Sequence, residues 1–88
     1  MQTARVIGNA NATVRHPSLD GCRLLILQPL DIQWEADEFP VIAIDHLGAR
    51  RGDLVFFTSD TKEIHRLTGR SDSPIRLSVQ GIIDAVPE

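Results

Sequence analysis

Apolar residues in this chain come in short runs. Two of them, at 41–44 and 54–57, are β-branched or aromatic and flank a polar link containing Asp45, Gly48, Arg50, Arg51, Gly52 and Asp53. Each run is bounded by turn residues, so each predicts a strand, at 41–45 and 53–58. The link is longer than a two-residue hairpin turn, and Gly48 and Gly52 supply the backbone freedom that such a corner needs. Upstream, Val6, Ile7 and Val14 sit among small residues and predict a strand over 3–15, bent near Gly8. The segment 16–21 reads as a turn, with Pro17 and the Asp20-Gly21 pair. A second strand follows over 22–30. All of Leu24, Leu25, Ile26 and Leu27 are apolar, so both its faces should be covered, one by the core and the other by a neighbouring subunit. Pro29 removes a ladder donor near its end. Residues 31–40 are mostly polar and predict an exposed loop, its ends anchored by Trp34 and Phe39.

Beyond residue 58 the period changes. Asp60 stands three residues before Glu63, the spacing of an N-cap with a capping box. Ile64 and Leu67 share one helical face and Gly69 suits the stop, so a short helix is predicted over 61–67. After a loop at 69–74, Ile75, Leu77 and Val79 alternate with polar residues. They predict a last, half-buried strand that runs to residue 86 and is interrupted by a bulge at Gly81. Five strands and one short helix predict a mainly β fold. The expected form is a small, closed, mostly antiparallel barrel, because closure removes exposed strand edges.

Composition narrows the reading. The 88 residues make one domain, 1–88, at 42% hydrophobic and 24% charged, values ordinary for a globular protein. A core of this size is marginal by itself, on the order of a few kcal/mol. Cys22 is the single cysteine, which rules out an intrachain disulfide. That leaves oligomerisation as the common way to add buried surface. A net charge of −3 argues against a general nucleic-acid binder. With no apolar run long enough to cross a membrane and no export signal at the start, the expected compartment is the cytoplasm, and the Asn11-Ala12-Thr13 sequon is without consequence there.

Candidate chemistry is sparse. His16, His46 and His65 have no ligand at a recognised metal spacing, so no metal or other cofactor is expected. Nothing around Cys22 predicts a lowered thiol pKa. Asp31, Glu35, Asp37 and Glu38 read as a solvated face and not as an acid–base pair. The segment 48–52 is basic and bracketed by glycines, so a phosphate cradle is conceivable. It lacks the P-loop pattern, however, and a strand follows it instead of a helix. The Arg51-Gly52-Asp53 tripeptide, in a chain without an export signal, is read as chance. Phe56 and Phe57 point to opposite faces of one strand, so at most one could stack on a base.

Three segments carry a further signal. The first is Ala4-Arg5-Val6-Ile7-Gly8, followed by Thr13-Val14-Arg15-His16 and by residues 24–28. The second is the corner, Ala43-Ile44-Asp45 then Leu47-Gly48-Ala49. The third is Ser73-Pro74-Ile75, followed by Gly81-Ile82-Ile83-Asp84. Together they resemble the EutN/CcmL family of bacterial microcompartment shell proteins, the corner being similar to the family's A-x-D-x-x-G-A-G-x-G pattern. Arg50 stands where many members carry glycine, residues 58–63 replace a small-residue segment, and the chain stops soon after Asp84.

The resemblance implies an OB-like barrel assembling as a homopentamer that caps the vertices of a polyhedral shell. It further implies contact with hexameric shell proteins and no catalysis. The subunit-interface or axis candidates are Asp45, Gly48, Arg50, Gly52, Ser59, Asp60 and Lys62. If the corner lies at an interface, Arg50 should meet a carboxylate across it, with Asp45, Asp53 and Asp60 as candidates. Two other readings compete: a monomeric OB-type module for nucleic acid or a small ligand, and a metal site built from His46 or His65 around a fivefold axis.

Overall fold

The computed structural model describes residues 2–10, 23–69 and 75–83. Strands β1 (Gln2–Asn9), β2 (Arg23–Pro29), β3 (Val41–Asp45) and β4 (Leu54–Thr58) precede helix α1 (Thr61–Thr68) and strand β5 (Ser78–Ile83). They close into a barrel in the order β1-β2-β3-β5-β4. All neighbours are antiparallel except β3 and β5, which meet in parallel at Ile44 and Ser78. The expected closed five-stranded, OB-like barrel with one short helix is therefore the observed fold. The segments 11–22, 70–74 and 84–88, with the expectations placed on Thr13 to Cys22, Pro74, Asp84 and Val86, lie outside the described residues.

Alternation along the strands fills the barrel. Ala4, Val6, Leu25, Leu27, Ala43, Val55, Phe57 and Val79 point inward, and Ala49 of the corner joins them. Each large side chain in that set contributes about 1.5–3 kcal/mol of burial. The bend expected at Gly8 is a register shift between Val6 and Gly8 in the β1–β2 ladder. The bulge expected at Gly81 is a second shift: Phe56 opposes Gly81 while Phe57 opposes Val79, so Gln80 is the extra residue.

Leu24 is indeed covered on the outer face of β2, but its cover is internal. It is 7% exposed and clusters with Ile44 of β3 and Ile64 of α1, against which Leu67 and Ile75 also pack. The helix lies over that end of the barrel, so no neighbouring subunit is needed at Leu24.

The helix begins as predicted. Asp60 accepts from the Lys62 N–H at 2.9 Å, and Gly69, at φ 71°, closes the last turn on the His65 carbonyl. The capping box is only half made, because Glu63 turns to Arg66. Strand β5 starts three residues later than predicted, since ladder pairing begins at Thr58–Ser78, where β4 ends. Strand β4 starts one residue later than predicted because Asp53 belongs to the turn.

The loop at 31–40 is exposed but ordered by specific bonds. Asp31 Oδ1 accepts the Gln33 and Glu35 N–H groups at 2.8 and 3.1 Å, and the Gln28 amide donates to the Glu38 carbonyl at 3.1 Å. Trp34 is half-buried, whereas Phe39 is 88% exposed and anchors nothing within the chain. Apolarity alone placed it inside, but its neighbours Glu38 and Pro40 carry the backbone outward over the surface.

Candidate functional site

The corner between β3 and β4 is built around one carboxylate. Asp45 is 3% exposed. Its Oδ1 accepts from the Leu47 N–H at 3.0 Å, and its Oδ2 accepts from Gly48 at 3.1 Å and Ala49 at 3.0 Å. Three successive N–H groups form a concavity of the kind that binds anions. Here the anion is the chain's own side chain, so the corner has no room for a phosphate, and that reading is withdrawn.

Arg23 Nη1 donates to Asp45 Oδ2 at 3.1 Å and neutralises the buried charge. Sequence inspection missed Arg23, although a signal existed. The two residues sit directly opposite each other at the ends of a hairpin, where opposite charges favour pairing.

Past Ala49 the chain turns again. The Arg50 N–H donates to Asp53 Oδ2 at 2.8 Å, and the Asp53 N–H donates to the Arg50 carbonyl at 2.9 Å. Gly48 and Gly52 hold φ at 86° and 93°, the left-handed region, and an added Cβ at either would meet nothing within 4 Å. Inside one subunit these glycines therefore serve backbone conformation and not close packing. The corner is tied to β1 by Gly52 N–H to Val6 O at 2.8 Å, Val6 N–H to Asp53 O at 2.9 Å and Arg5 Nη1 to Gly52 O at 3.3 Å.

The candidate residues thus divide. Asp45 faces inward as the clip of the corner. Gly48, Arg50 and Gly52 lie exposed on the corner, and Ser59, Asp60 and Lys62 lie exposed at the start of α1. Of the carboxylates considered for Arg50, Asp45 is occupied by Arg23 and backbone, and Asp53 holds the Arg50 N–H. Among the described residues the Arg50 guanidinium makes no ion pair.

His46 and His65 are exposed, and among the described residues no group of three His, Cys, Asp or Glu side chains is placed to hold a metal. Phe57 is in the core, leaving Phe56 as the single exposed aromatic of β4, too little for a base-stacking platform. On α1, hydrogen bonding to the Arg66 guanidinium holds the Glu63 carboxyl below its usual range, against a smaller opposing effect of burial. The same bond raises Arg66.

The outer wall is more informative. On β2–β3, Ile26 stands opposite Ile42, which is 44% exposed, and Gly8 lies on the other side of Ile26 next to Ile7, 40% exposed. Across the barrel, on β4–β5, Phe56 lies over Gly81 on the outer wall, while Ile82 pairs with the inward-facing Val55 and so points to the other side of the sheet. Phe56 and Ile82 are 39% and 37% exposed.

These features define a class: a small closed barrel stiffened by internal hydrogen bonds, with exposed apolar side chains on two sides of its wall. Residues 1–84 match the model of the family described as ethanolamine utilisation protein EutN/carboxysome. The bacterial microcompartment shell vertex protein EutN of Salmonella typhimurium is 38% identical over 87 residues, covering 98% of this chain and 86% of that protein. The carboxysome shell vertex protein CcmL of a Synechocystis strain is 34% identical over 86 residues, covering 98% and 85%. Among solved structures, the GrpN pentameric microcompartment shell protein from Rhodospirillum rubrum superposes with a TM-score of 0.81 at 28% identity, covering 100% of this chain and 99% of that one. The chain belongs to the EutN/CcmL family.

Proposed function

We propose that this chain is a structural protein: five copies close into a ring that caps the vertices of a polyhedral microcompartment shell, meeting hexameric shell proteins at its rim. The relatives named shell vertex proteins and the pentameric GrpN support this reading. Geometry gives the reason for such a part, since a flat hexagonal lattice closes into a polyhedron only where fivefold units replace sixfold ones.

The observation that carries the reading is the pair of apolar patches on different sides of one barrel. A cyclic ring joins unlike surfaces, head to tail, so each subunit must offer two different patches. The strip Ile7–Ile26–Ile42 and the exposed Phe56 over Gly81 are two such patches. A barrel this small has reason to bury them. The role requires no catalytic residue. Gly48, Arg50, Gly52, Ser59, Asp60 and Lys62 fit contact or axis positions by their exposure, with Asp45 supporting the corner from inside.

Light scattering on the purified chain tests the ring. The expected particle has five times the monomer mass, and a monodisperse monomer at micromolar concentration overturns the proposal. Mixing the ring with hexameric shell proteins tests the rim. The expected result is co-assembly into closed particles, and unchanged open sheets would count against it.

A further inference from the structure

The two most exposed large hydrophobic side chains of the described residues are Ile32, at 95%, and Phe39, at 88%, both on the 31–40 loop. This loop is held in shape. Besides the Asp31 and Gln28 bonds, the Asp37 N–H donates to the Pro29 carbonyl at 2.9 Å, and Leu30 bridges to Ala36. Trp34 and Glu38 are kept at φ 64° and 67°, which costs about 1–2 kcal/mol each for residues with a Cβ. A strained, preformed loop that displays Ile32 and Phe39 to water has the form of a contact surface.

Its charge is uniform. Glu35, Asp37 and Glu38 are exposed around the two apolar side chains, and no Lys or Arg occurs between Arg23 and Arg50. The opposite end of β3 carries the reverse. The corner presents Arg50 and Arg51, with Arg5 laid against the Gly52 carbonyl, beside exposed Leu47. Asp53 is the one carboxylate there that no arginine already occupies, and it caps the Arg50 N–H. The acidic loop leads into the Ile42 strip, three residues from Phe39. The basic corner leads into β4 and the exposed Phe56.

We propose that the acidic 31–39 loop of one copy docks on the Arg5–Arg50–Arg51 corner of the next copy in the ring. The inference rests on the ring reading above. The occupant follows from charge: a surface complementary to the loop is present on the chain itself, at the other end of the same strand. A register that set loop on loop or corner on corner would juxtapose like charges. Juxtaposed like charges are costly, so they act as specificity against that arrangement more than as affinity for the correct one. The proposal also gives the Arg50 guanidinium a carboxylate partner across the contact, which it lacks among the described residues of its own subunit.

Charge reversal in the full chain tests this by analytical ultracentrifugation at low salt, with circular dichroism confirming that each variant is folded. D37K/E38K and R50E/R51E should each raise the concentration for ring dissociation by about tenfold or more. The fourfold swap D37K/E38K/R50E/R51E should restore the ring. Added salt should narrow the deficit of the two half-reversed variants by screening the repulsion. Rings of unchanged stability in both half-reversed variants overturn the proposal, as does a swap that fails to restore them. Reversed-loop rings of full mass that no longer join hexameric shell proteins would assign the loop to the rim and also overturn it. A wild-type monomer would instead overturn the ring itself, so the two failures are distinguishable.

Discussion

Replacing Asp45 by alanine removes the clip of the corner, and its effect follows from the surroundings of each lost bond. Ala49 is fully buried, so its N–H finds no water in place of the carboxylate. An unpaired buried donor costs about 1–3 kcal/mol. Leu47 and Gly48 are exposed, so their N–H groups regain water and lose only the net value of a bond, about 0.5–1.5 kcal/mol each. The Arg23 side chain is 41% exposed and also rehydrates, so its loss adds under about 1 kcal/mol. The expected total is about 2–7 kcal/mol, in the lower half of that range because part of the corner can relax.

For a domain of this size 1 kcal/mol moves the midpoint by about 4–8 °C, so Asp45→Ala should unfold about 15 °C below wild type. Asp45→Asn keeps one oxygen for Gly48 and Ala49 and turns its amide toward the exposed Leu47 end, so it should fall between the two. Thermal unfolding followed by far-UV circular dichroism measures this, at one fixed protein concentration because assembly shifts the midpoint. A drop under about 4 °C for the alanine variant, or an asparagine variant less stable than alanine, would refute the account of the corner.

Three further outcomes are expected. Ile64→Ala empties the contact between α1 and Leu24–Ile44 and should cost about 3 kcal/mol, with hydrogen exchange of the helix amides accelerating before that of the barrel. Gly48→Ala should cost about 1–2 kcal/mol through its positive φ alone. Because the space beyond Gly48 is open within the subunit, any extra loss of ring mass in Gly48→Val over Gly48→Ala, read by light scattering, marks the corner as a packed contact. Glu63→Gln should lower the midpoint slightly at neutral pH and not at acid pH. The folded Glu63 pKa is depressed below 4.5, so its contribution is present above that value and fades as pH falls through the depressed one. An equal gap at pH 7 and at pH 3 would contradict this.

Much of the architecture was legible in the chain. Short apolar runs bounded by turn residues, and one alternating segment, marked the strands to within a few residues. Asp60, Ile64, Leu67 and Gly69 marked the helix, since caps and helical faces are local patterns. Gly8 and Gly81 marked the places where register shifts, and the spacing of the corner with its flanking segments pointed to the family. One local expectation failed because it depended on what lies opposite in space: Phe39 reads as an anchor by its chemistry but faces water within its own chain. The cover of Leu24 by α1 was not legible either, whereas Ile26 on the same strand keeps an outward side for a neighbour.

The sequence by itself thus determined the elements, the barrel class and the residues of the corner, because each is set by neighbours along the chain. The tertiary structure alone decided what the corner does. It turned Asp45 inward onto three N–H groups and Arg23, filling a concavity that the sequence left open to phosphate. It also laid Arg5 of β1 against the Gly52 carbonyl, which adds a third cation to the corner. Burial and charge balance at a point in space depend on chain segments tens of residues apart, and only folding brings those segments together.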